Sequence, residues 1–232
     1  MENALENKAD WGVIFDVDGT MVDNARFHRG AWIEFGRRHG FPITEEYYDR
    51  EIHARCNESI VRKLYQKDYT DEEAREIAEE KEVIYRDTFR PVFKEVPGLV
   101  ALIEKLHDAN IRLAAASNSS TGNVDFVLDE LDIRKYFDFV VNRDLVEVGK
   151  PDPLMFFLAA EGLKLAKHRC IIMEDSKSGF KAAENAQMAY VVISYGSDKN
   201  DLKFASHAEA IYEHYEGLTV DMLSDIVNGQ SL

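Results

Sequence analysis

Two aspartates, two residues apart, follow an apolar run near the start of the chain. The run Val13-Ile14-Phe15 leads directly into Asp16-Val17-Asp18-Gly19-Thr20. Alternate residues of an extended chain point the same way and rise about 3.3 Å each, so both carboxylates project together from the end of a strand. Such a pair can hold a cation and divide two roles, one carboxylate attacking as a nucleophile and the other handling a proton. We therefore take Asp16 as a candidate nucleophile and Asp18 as its acid/base partner.

The same octet has other interpretations. An acidic pair after an apolar strand is often a solvated turn, and Asp-Gly is a common turn dipeptide. An EF-hand calcium loop is excluded, because its glycine is the sixth residue whereas Gly19 is the fourth counted from Asp16. The octet alone leaves a chemical site and a structural turn as alternatives.

Length and composition indicate a globular protein. The chain has 232 residues, of which 45% are hydrophobic and 11% aromatic, which argues against disorder. No apolar run approaches the roughly 18 to 20 residues of a membrane span, and the first ten residues lack the pattern of a signal peptide. With only Cys56 and Cys170, neither a disulfide framework nor a zinc cluster is indicated. We expect a soluble, cytoplasmic protein that does not bind membranes.

The charge is acidic and unevenly distributed. A net charge of −15 argues against nucleic acid as a partner, since phosphate backbones are met by surpluses of Lys and Arg. Half of the 28 Lys and Arg residues nevertheless lie within residues 25–95. If the partner is a small anion, that segment is the expected source of cationic side chains, with a bound metal supplying further positive charge.

Residues 25–90 are predicted to be helical throughout. Apolar residues from Phe27 to Phe35 recur at helical spacing until Gly40, and a short helix covers 44–50. Asn57 is the predicted N-cap of a helix over 58–66, and Thr70 that of a helix over 71–90. Four helices between strands predict an inserted helical domain, the alternative being a helical layer of one continuous domain.

From Pro97 onward, helices alternate with apolar strands. The predicted strands cover 111–116, 137–141, 170–173, 190–193 and, more weakly, 210–212. Such alternation predicts an α/β fold with a Rossmann-like parallel sheet core and helices on both faces, plus an inserted α-helical domain. The expected domains are a core of residues 1–24 and 96–232 and an insert of residues 25–95.

Polar groups suited to phosphate and metal follow four of the predicted strands. After the Asp16 strand, they are Ser117-Asn118, Gly149-Lys150-Pro151 and Glu174-Asp175-Ser176. Each could be an ordinary helix cap or turn. Ligands of open parallel sheets, however, bind outside the carboxyl ends of the strands, where these segments meet. Their coincidence at one sheet edge favours a single site.

In order and spacing, these four segments resemble the motifs of the haloacid dehalogenase-like superfamily of phosphatases and phosphomutases. The resemblance implies that Asp16 forms an aspartyl phosphate and that Asp18 protonates the leaving group and then activates water. It implies Mg²⁺ as the cofactor, held by Asp16, the backbone carbonyl of Asp18, Asp175 and Glu174. It also implies a small phosphorylated metabolite as the substrate and the family's small cap as the role of the helical insert.

The resemblance gives the remaining motif residues their roles as well. Ser117 and the N–H of Asn118 would bind phosphoryl oxygens. Lys150 would neutralise charge beside the nucleophile, in a loop fixed by Pro151. Apart from the resemblance, Gly19 lets the chain turn after the strand, and the backbone N–H groups around Gly19 and Thr20 are suited to hold an anion.

In the insert, residues 27–32 resemble the first cap helix of the sugar-phosphate branch, with His28 as a candidate substrate contact. Residues 52–58 resemble a substrate loop in which Ala54 and Cys56 replace a glycine and a serine, and Arg55 is the candidate for a substrate anion. The lysine and arginine of the mutase pattern are not recovered in this loop.

A phosphatase acting on a sugar or polyol phosphate is therefore the expected function, with a β-phosphoglucomutase-like enzyme as the alternative. A non-catalytic phospho-acceptor module ranks last, because receivers are shorter and lack a cap. The sequence leaves the oligomeric state open and favours a monomer.

Overall fold

The computed structural model describes residues 8–53, 55–195, 197 and 200–229. Contacts divide the chain into a sheet unit, Met1–Asp23 with Lys94–Leu232, and a helical unit, Asn24–Phe93. Ala54, expected in the substrate loop, and residues 1–7 lie outside the described residues.

The sheet unit is built on parallel strands with helices between them. In the described ranges, the strands are β1 (Gly12–Phe15), β2 (Arg112–Ala116), β3 (Phe139–Val141), β4 (Cys170–Glu174), β5 (Ala189–Ile193) and β6 (Ala210–Tyr212). They form one sheet in the order β3-β2-β1-β4-β5-β6, and every pairing is parallel. The predicted α/β fold with a Rossmann-like parallel sheet is confirmed.

The register places the candidate site residues side by side. Phe15, the last residue of β1, pairs with Ala115 of β2 and with Met173 of β4. All four residues of β1 are buried, as expected of a central strand covered on both faces. Asp16 therefore emerges between the ends of β2 and β4, level with Glu174 and one residue from Ser117 in register.

The described part of the sheet unit also contains five α-helices. They are α5 (Leu99–Asp108), α6 (Thr121–Glu130), α7 (Leu154–Gly162), α8 (Lys177–Ala186) and α9 (Val220–Gly229). No helix of the described residues is both long enough and apolar enough to cross a membrane.

The helical unit contains α1 (Ala25–His39), α2 (Glu45–Glu51), α3 (Asn57–Tyr65) and α4 (Asp71–Phe89). Gly40 ends α1 in the left-handed conformation, with φ of 76°, and Thr70 forms a capping box with Glu73 at the start of α4. The predicted helical insert is confirmed.

The predicted N-cap at Asn57 is wrong. Cys56 is the N-cap of α3 and Asn57 is its first helical residue. The Asn57 side chain instead donates a hydrogen bond to Glu82 Oε1 of α4, over 2.7 Å. As an N-cap, asparagine would bond to backbone N–H groups in the first turn of the helix. In this structure, the Asn57 side chain bonds instead to a residue of another helix.

Candidate active site

Asp16 is a buried carboxylate at the end of β1. Its Oδ1 accepts a hydrogen bond from Lys150 Nζ over 2.7 Å, and its Oδ2 accepts one from Thr20 Oγ1 over 3.0 Å. Both oxygens are held by side chains from other parts of the site, so the carboxylate has a defined orientation. The alternative of a solvated turn does not fit a carboxylate that is 7% exposed.

The turn after β1 brings Asp16 and Asp175 together. Gly19 adopts φ of 87°, and a Cβ on it would lie 2.1 Å from Asp175 Oδ2, so the position requires glycine. Thr20 Oγ1 contacts Asp16 Oδ2 and also Asp175 Oδ1, the latter over 3.2 Å. The buried Tyr215 donates its hydroxyl hydrogen bond to the carbonyl of Thr20 over 3.1 Å. The turn is thereby fixed from two sides.

Lys150 joins the ends of three strands. Besides Asp16, its ammonium donates to Glu174 Oε1 and to the carbonyl of Ala116, each over 2.8 Å. Asn118 fixes the backbone at Lys150: its Oδ1 accepts from the Lys150 N–H over 2.8 Å, and its Nδ2 donates to the Lys150 carbonyl over 3.2 Å. The peptide bond between Lys150 and Pro151 is cis. The Asn118 side chain therefore positions the lysine, a role that the motif alone did not suggest.

Glu174 is completely buried at the end of β4. Its Oε2 accepts from the N–H groups of Asp175 and Ser176 and from Ser176 Oγ, over 2.8, 2.9 and 3.1 Å. A Cβ on Gly179 would lie only 1.7 Å from Glu174 Oε1, so glycine is needed in the first turn of α8. Both carboxylate oxygens already have donors, which fixes Glu174 as a source of negative charge beside Lys150.

Asp18 faces the end of β2. Its Oδ2 accepts from Ser119 Oγ over 2.5 Å and from Ser117 Oγ over 3.3 Å. Ser117 Oγ in turn accepts from the Ser119 N–H over 3.0 Å. Two hydroxyls of one short segment therefore hold the second aspartate of the opening motif.

The electrostatics of the site indicate a missing positive charge. Burial, reinforced by Glu174, raises the pKa of Asp16 to about 7 against the opposing effect of Lys150. Burial, Glu174 and Asp16 also raise the pKa of Asp175 well above its ordinary value. The pKa of Lys150 is raised because Asp16 and Glu174 outweigh its burial, so the lysine is charged. One ammonium faces three buried carboxylates.

Oxygen ligands of a hard cation are present in this cluster. Asp16, Glu174 and Asp175 each have a carboxylate oxygen within 4.8 Å of the others. Burying several carboxylates beside a single cation is costly unless a further cation compensates. Carboxylate oxygens are the donors that Mg²⁺ prefers, so the residues fit a divalent cation of this type.

His28 belongs to a buried polar network in the helical unit. Its ring stacks on Tyr85 with centroids 3.8 Å apart, and its Nδ1 lies 3.0 Å from Lys81 Nζ. Lys81 also contacts both carboxylate oxygens of Glu82, over 3.1 and 3.0 Å. The local sequence does not indicate the contact between Lys81 and His28, because these two residues become neighbours only when α1 packs on α4.

Arg55 is largely exposed in the helical unit. Its guanidinium lies 3.8 Å from Glu51 Oε2 and donates over 3.4 Å to the carbonyl of Arg50. Both contacts are long, so the guanidinium is weakly held and its predicted role in binding a substrate anion stays a prediction.

The structure thus brings together the predicted residues of the sheet unit: Asp16, Asp18, Gly19, Thr20, Ser117, Asn118, Lys150, Glu174 and Asp175. Sequence reasoning missed Ser119 and Tyr215, which contact these residues directly. Ser119 could have been suspected from its position beside Ser117 and Asn118. Nothing in the local sequence indicates Tyr215.

Comparison with known proteins identifies the family. A model for haloacid dehalogenase-like hydrolases matches residues 12–187, so the chain belongs to that family. The resemblance inferred from the four motifs is confirmed.

Its relatives include enzymes of two kinds. The chain is 32% identical to a phosphorylated carbohydrates phosphatase of Thermotoga maritima, over 75% of this chain and 80% of the relative. It is 30% identical to the beta-phosphoglucomutase of Bacillus subtilis, over 79% of this chain and 83% of the relative. Among solved structures, a HAD hydrolase of family IA from Entamoeba histolytica matches with a TM-score of 0.83 at 26% identity, covering 94% of this chain and 99% of that one.

Proposed function

We propose that this protein is a Mg²⁺-dependent phosphatase that hydrolyses a small phosphorylated metabolite through an aspartyl phosphate. The observation that carries the proposal is the pairing of Asp16 with Lys150 over 2.7 Å, beside the carboxylates of Glu174 and Asp175. A buried nucleophile that is oriented by hydrogen bonds and lies next to a second aspartate is suited to attack on phosphorus. The relative from Thermotoga maritima, a phosphatase of phosphorylated carbohydrates, supports a sugar or polyol phosphate as the substrate.

In the first step, an oxygen of Asp16 forms a bond to phosphorus while the bond from phosphorus to the leaving oxygen breaks. The electron pair of the broken bond stays on the leaving oxygen, which takes the proton of Asp18. The alcohol departs and Asp16 carries the phosphoryl group.

In the second step, water attacks the phosphorus of the aspartyl phosphate and gives a proton to Asp18. The bond to Asp16 breaks, inorganic phosphate leaves, and both aspartates return to their starting states. Asp18 thus acts first as an acid and then as a base.

The remaining groups bind and orient the phosphoryl group. Ser117, the N–H of Asn118 and the backbone of Gly19 and Thr20 would donate hydrogen bonds to its oxygens. Lys150 balances the charge of Asp16 and keeps that carboxylate in place.

A metal ion would be held by Asp16 and Asp175, with the backbone carbonyl of Asp18 completing the protein ligands. Glu174 would take part directly or through water, and its existing hydrogen bonds favour the role of a neighbouring negative charge. When bound, Mg²⁺ supplies positive charge that offsets the repulsion between an anionic nucleophile and an anionic substrate.

The decisive experiment is Asp16→Asn, assayed by phosphate release from a panel of sugar, polyol and glycolate phosphates. We expect turnover to fall to background while the circular dichroism spectrum stays unchanged. Asp132→Asn is the matched control, since Asp132 is exposed in the same unit and asparagine tolerates its left-handed backbone. Full activity of Asp16→Asn would refute the proposed nucleophile.

A sugar phosphomutase is the second candidate, supported by the 30% identity to the Bacillus subtilis beta-phosphoglucomutase. In that reaction a sugar hydroxyl replaces water as the acceptor, and His28, held by Lys81, would be a candidate contact for it. Steady phosphate release without a bisphosphate activator would support the phosphatase. Isomer formation that requires a bisphosphate would support the mutase.

A further inference from the structure

Ser119 makes a short hydrogen bond to Asp18, the second aspartate of the opening motif. The distance from Ser119 Oγ to Asp18 Oδ2 is 2.5 Å, and both side chains are partly buried. A bond of this length between a hydroxyl and a carboxylate lies in the range of charge-assisted hydrogen bonds, which are about twice as strong as neutral ones. It joins residues 101 positions apart in the chain.

The neighbouring motif residue holds Asp18 less tightly. Ser117 Oγ lies 3.3 Å from Asp18 Oδ2, beyond the usual range of about 2.5 to 3.0 Å for bonds between oxygens. Ser117 also accepts the Ser119 N–H, so Ser119 orients the other hydroxyl through its backbone. Of the two serines, Ser119 therefore contributes more to holding the Asp18 carboxylate.

We propose that Ser119 is a positioning residue that holds Asp18 in the orientation for proton transfer. This inference rests on the proposed function, in which Asp18 protonates the leaving oxygen and later takes a proton from water. A general acid works only when its proton can reach that oxygen, and such catalysis contributes about 10²- to 10⁴-fold. Ser119 acts on the reaction through Asp18.

A purely structural role for Ser119 makes a different prediction. If the serine only tied the end of β2 to the turn after β1, its loss would affect every substrate alike. If it positions the acid, its loss affects only substrates whose leaving group needs a proton. A nitrophenolate leaves without protonation, whereas an alkoxide does not.

The test is kcat/KM of Ser119→Ala for two substrates, because this parameter reports the first irreversible step. We expect a loss of about 10- to 100-fold for the best alkyl phosphate of a hexose, pentose and glycerol phosphate panel, within the range of general acid catalysis. For p-nitrophenyl phosphate we expect little change. Ser119→Thr, which keeps a hydroxyl, should restore most of the alkyl phosphate activity.

Ser120→Ala is the matched control. Ser120 follows directly in the chain, and its buried Oγ has no hydrogen-bond partner among the described residues. We expect wild-type kinetics from this variant. If Ser119→Ala fails to fold, Ser119→Cys keeps the size of the side chain with only a weak donor, and the same selective loss is expected from it.

Equal losses on both substrates, or no loss on either, would overturn the role of Ser119 while leaving the proposed function standing. A wild-type protein that releases phosphate from none of the substrates would instead overturn the proposed function itself.

Discussion

Each unit of this protein buries a lysine, and the two lysines have different surroundings. Lys150 of the sheet unit is 7% exposed and contacts Asp16 and Glu174, with Asp175 in the same carboxylate cluster. Lys81 of the helical unit is 3% exposed and contacts one carboxylate, Glu82, together with the ring of His28. The first lysine leaves negative charge uncompensated, whereas the second is matched one to one with a carboxylate.

The difference in charge balance suits the cluster around Lys150 to ligand binding and the pair of Lys81 and Glu82 to a structural role. The excess of carboxylates around Lys150 opposes folding, and the metal ion that we propose for this site would relieve it. The pair of Lys81 and Glu82 needs no further partner for its charge, and Trp32 and Tyr85 flank the ammonium 5.6 and 5.8 Å from their ring centroids. A buried lysine by itself therefore does not indicate a binding site. An excess of carboxylates around the buried lysine does.

The largest effect is expected from Lys150→Met. Removing the ammonium leaves Asp16 and Glu174 facing each other, and turnover should fall by about 10²- to 10³-fold, as on loss of a catalytic electrostatic contact. Without metal, the free energy of unfolding should also fall by about 3 to 5 kcal/mol, as for a broken buried ion pair. Phosphate release and urea unfolding measure the two effects. Lys135→Met, at an exposed ion pair of the same unit, should change neither turnover nor stability. Losses as large as those of Lys150→Met would show that the effect is not specific to the lysine of the carboxylate cluster.

The next effect concerns pH in the metal-free protein. Because the folded-state pKa of Asp16 is about 7 and its ordinary value is 3.8, the folded state binds more protons between these values. Stability should therefore fall as pH rises from about 4 to 7, by an amount on the order of a few kcal/mol. The melting temperature in EDTA measures this slope, and Asp16→Asn should reduce it, with the remainder coming from Asp175, whose pKa is also raised.

The helical unit supplies the control of opposite sign. Hydrogen bonds from Arg37 and Arg38 lower the pKa of the partly exposed Glu34 to about 2. The contribution of Glu34 to the free energy of unfolding is complete above its ordinary pKa and is lost only as pH falls toward 2. Glu34→Gln should leave the slope between pH 5 and 7 unchanged, and a flattened slope in this variant would contradict the assignment to Asp16.

A smaller effect is expected from Lys81→Met. The methionine keeps the apolar stem but leaves Glu82 buried with the Asn57 amide, and we expect a loss of about 2 to 3 kcal/mol in the free energy of unfolding. The double variant Lys81→Met/Glu82→Met should recover most of this loss, because a balanced pair can be replaced by apolar groups. Urea unfolding measures the stability of both variants. A double variant that is less stable than Lys81→Met would show that Lys81 and Glu82 do not balance each other's charge.

The smallest effect is expected from Tyr215→Phe. Burial and the nearby carboxylates raise the pKa of Tyr215 well above its ordinary value, so its hydroxyl stays protonated and donates to Thr20. Removing it costs about 1 kcal/mol for one hydrogen bond and leaves the packing on Phe15 intact. A loss as large as that expected for Lys81→Met would mean that the hydrogen bond from Tyr215 stabilises the turn around Thr20 by more than one ordinary hydrogen bond does.

The sequence predicts the sheet unit well because its signals are local. Apolar runs mark the strands, and the rule that parallel sheets bind ligands at the carboxyl ends of their strands places Asp16, Ser117 and Asp175 together from the sequence alone. The predicted strand ends differ from the observed ones by a few residues: β3 begins at Phe139 rather than 137, and β4 extends to Glu174.

What the sequence could not predict depends on contacts between distant segments. Asn57 has the side chain of a helix cap but bonds to Glu82, 25 residues away. Tyr215 reaches Thr20 across 195 residues, and no periodicity or spacing encodes that approach. Side-chain partners across packed elements are set by rotamers and close packing, which residue types alone do not determine.

The central position of β1 has a consequence for the time course of folding. The contact of Lys150 with Asp16 closes 134 residues of chain, and Asp175 joins them only after β4 has paired with β1. Contacts of such long range form late, because the entropy of the intervening chain opposes them. Regain of enzymatic turnover during refolding should therefore lag behind regain of helical circular dichroism, which makes this site a reporter of the last stage of chain assembly.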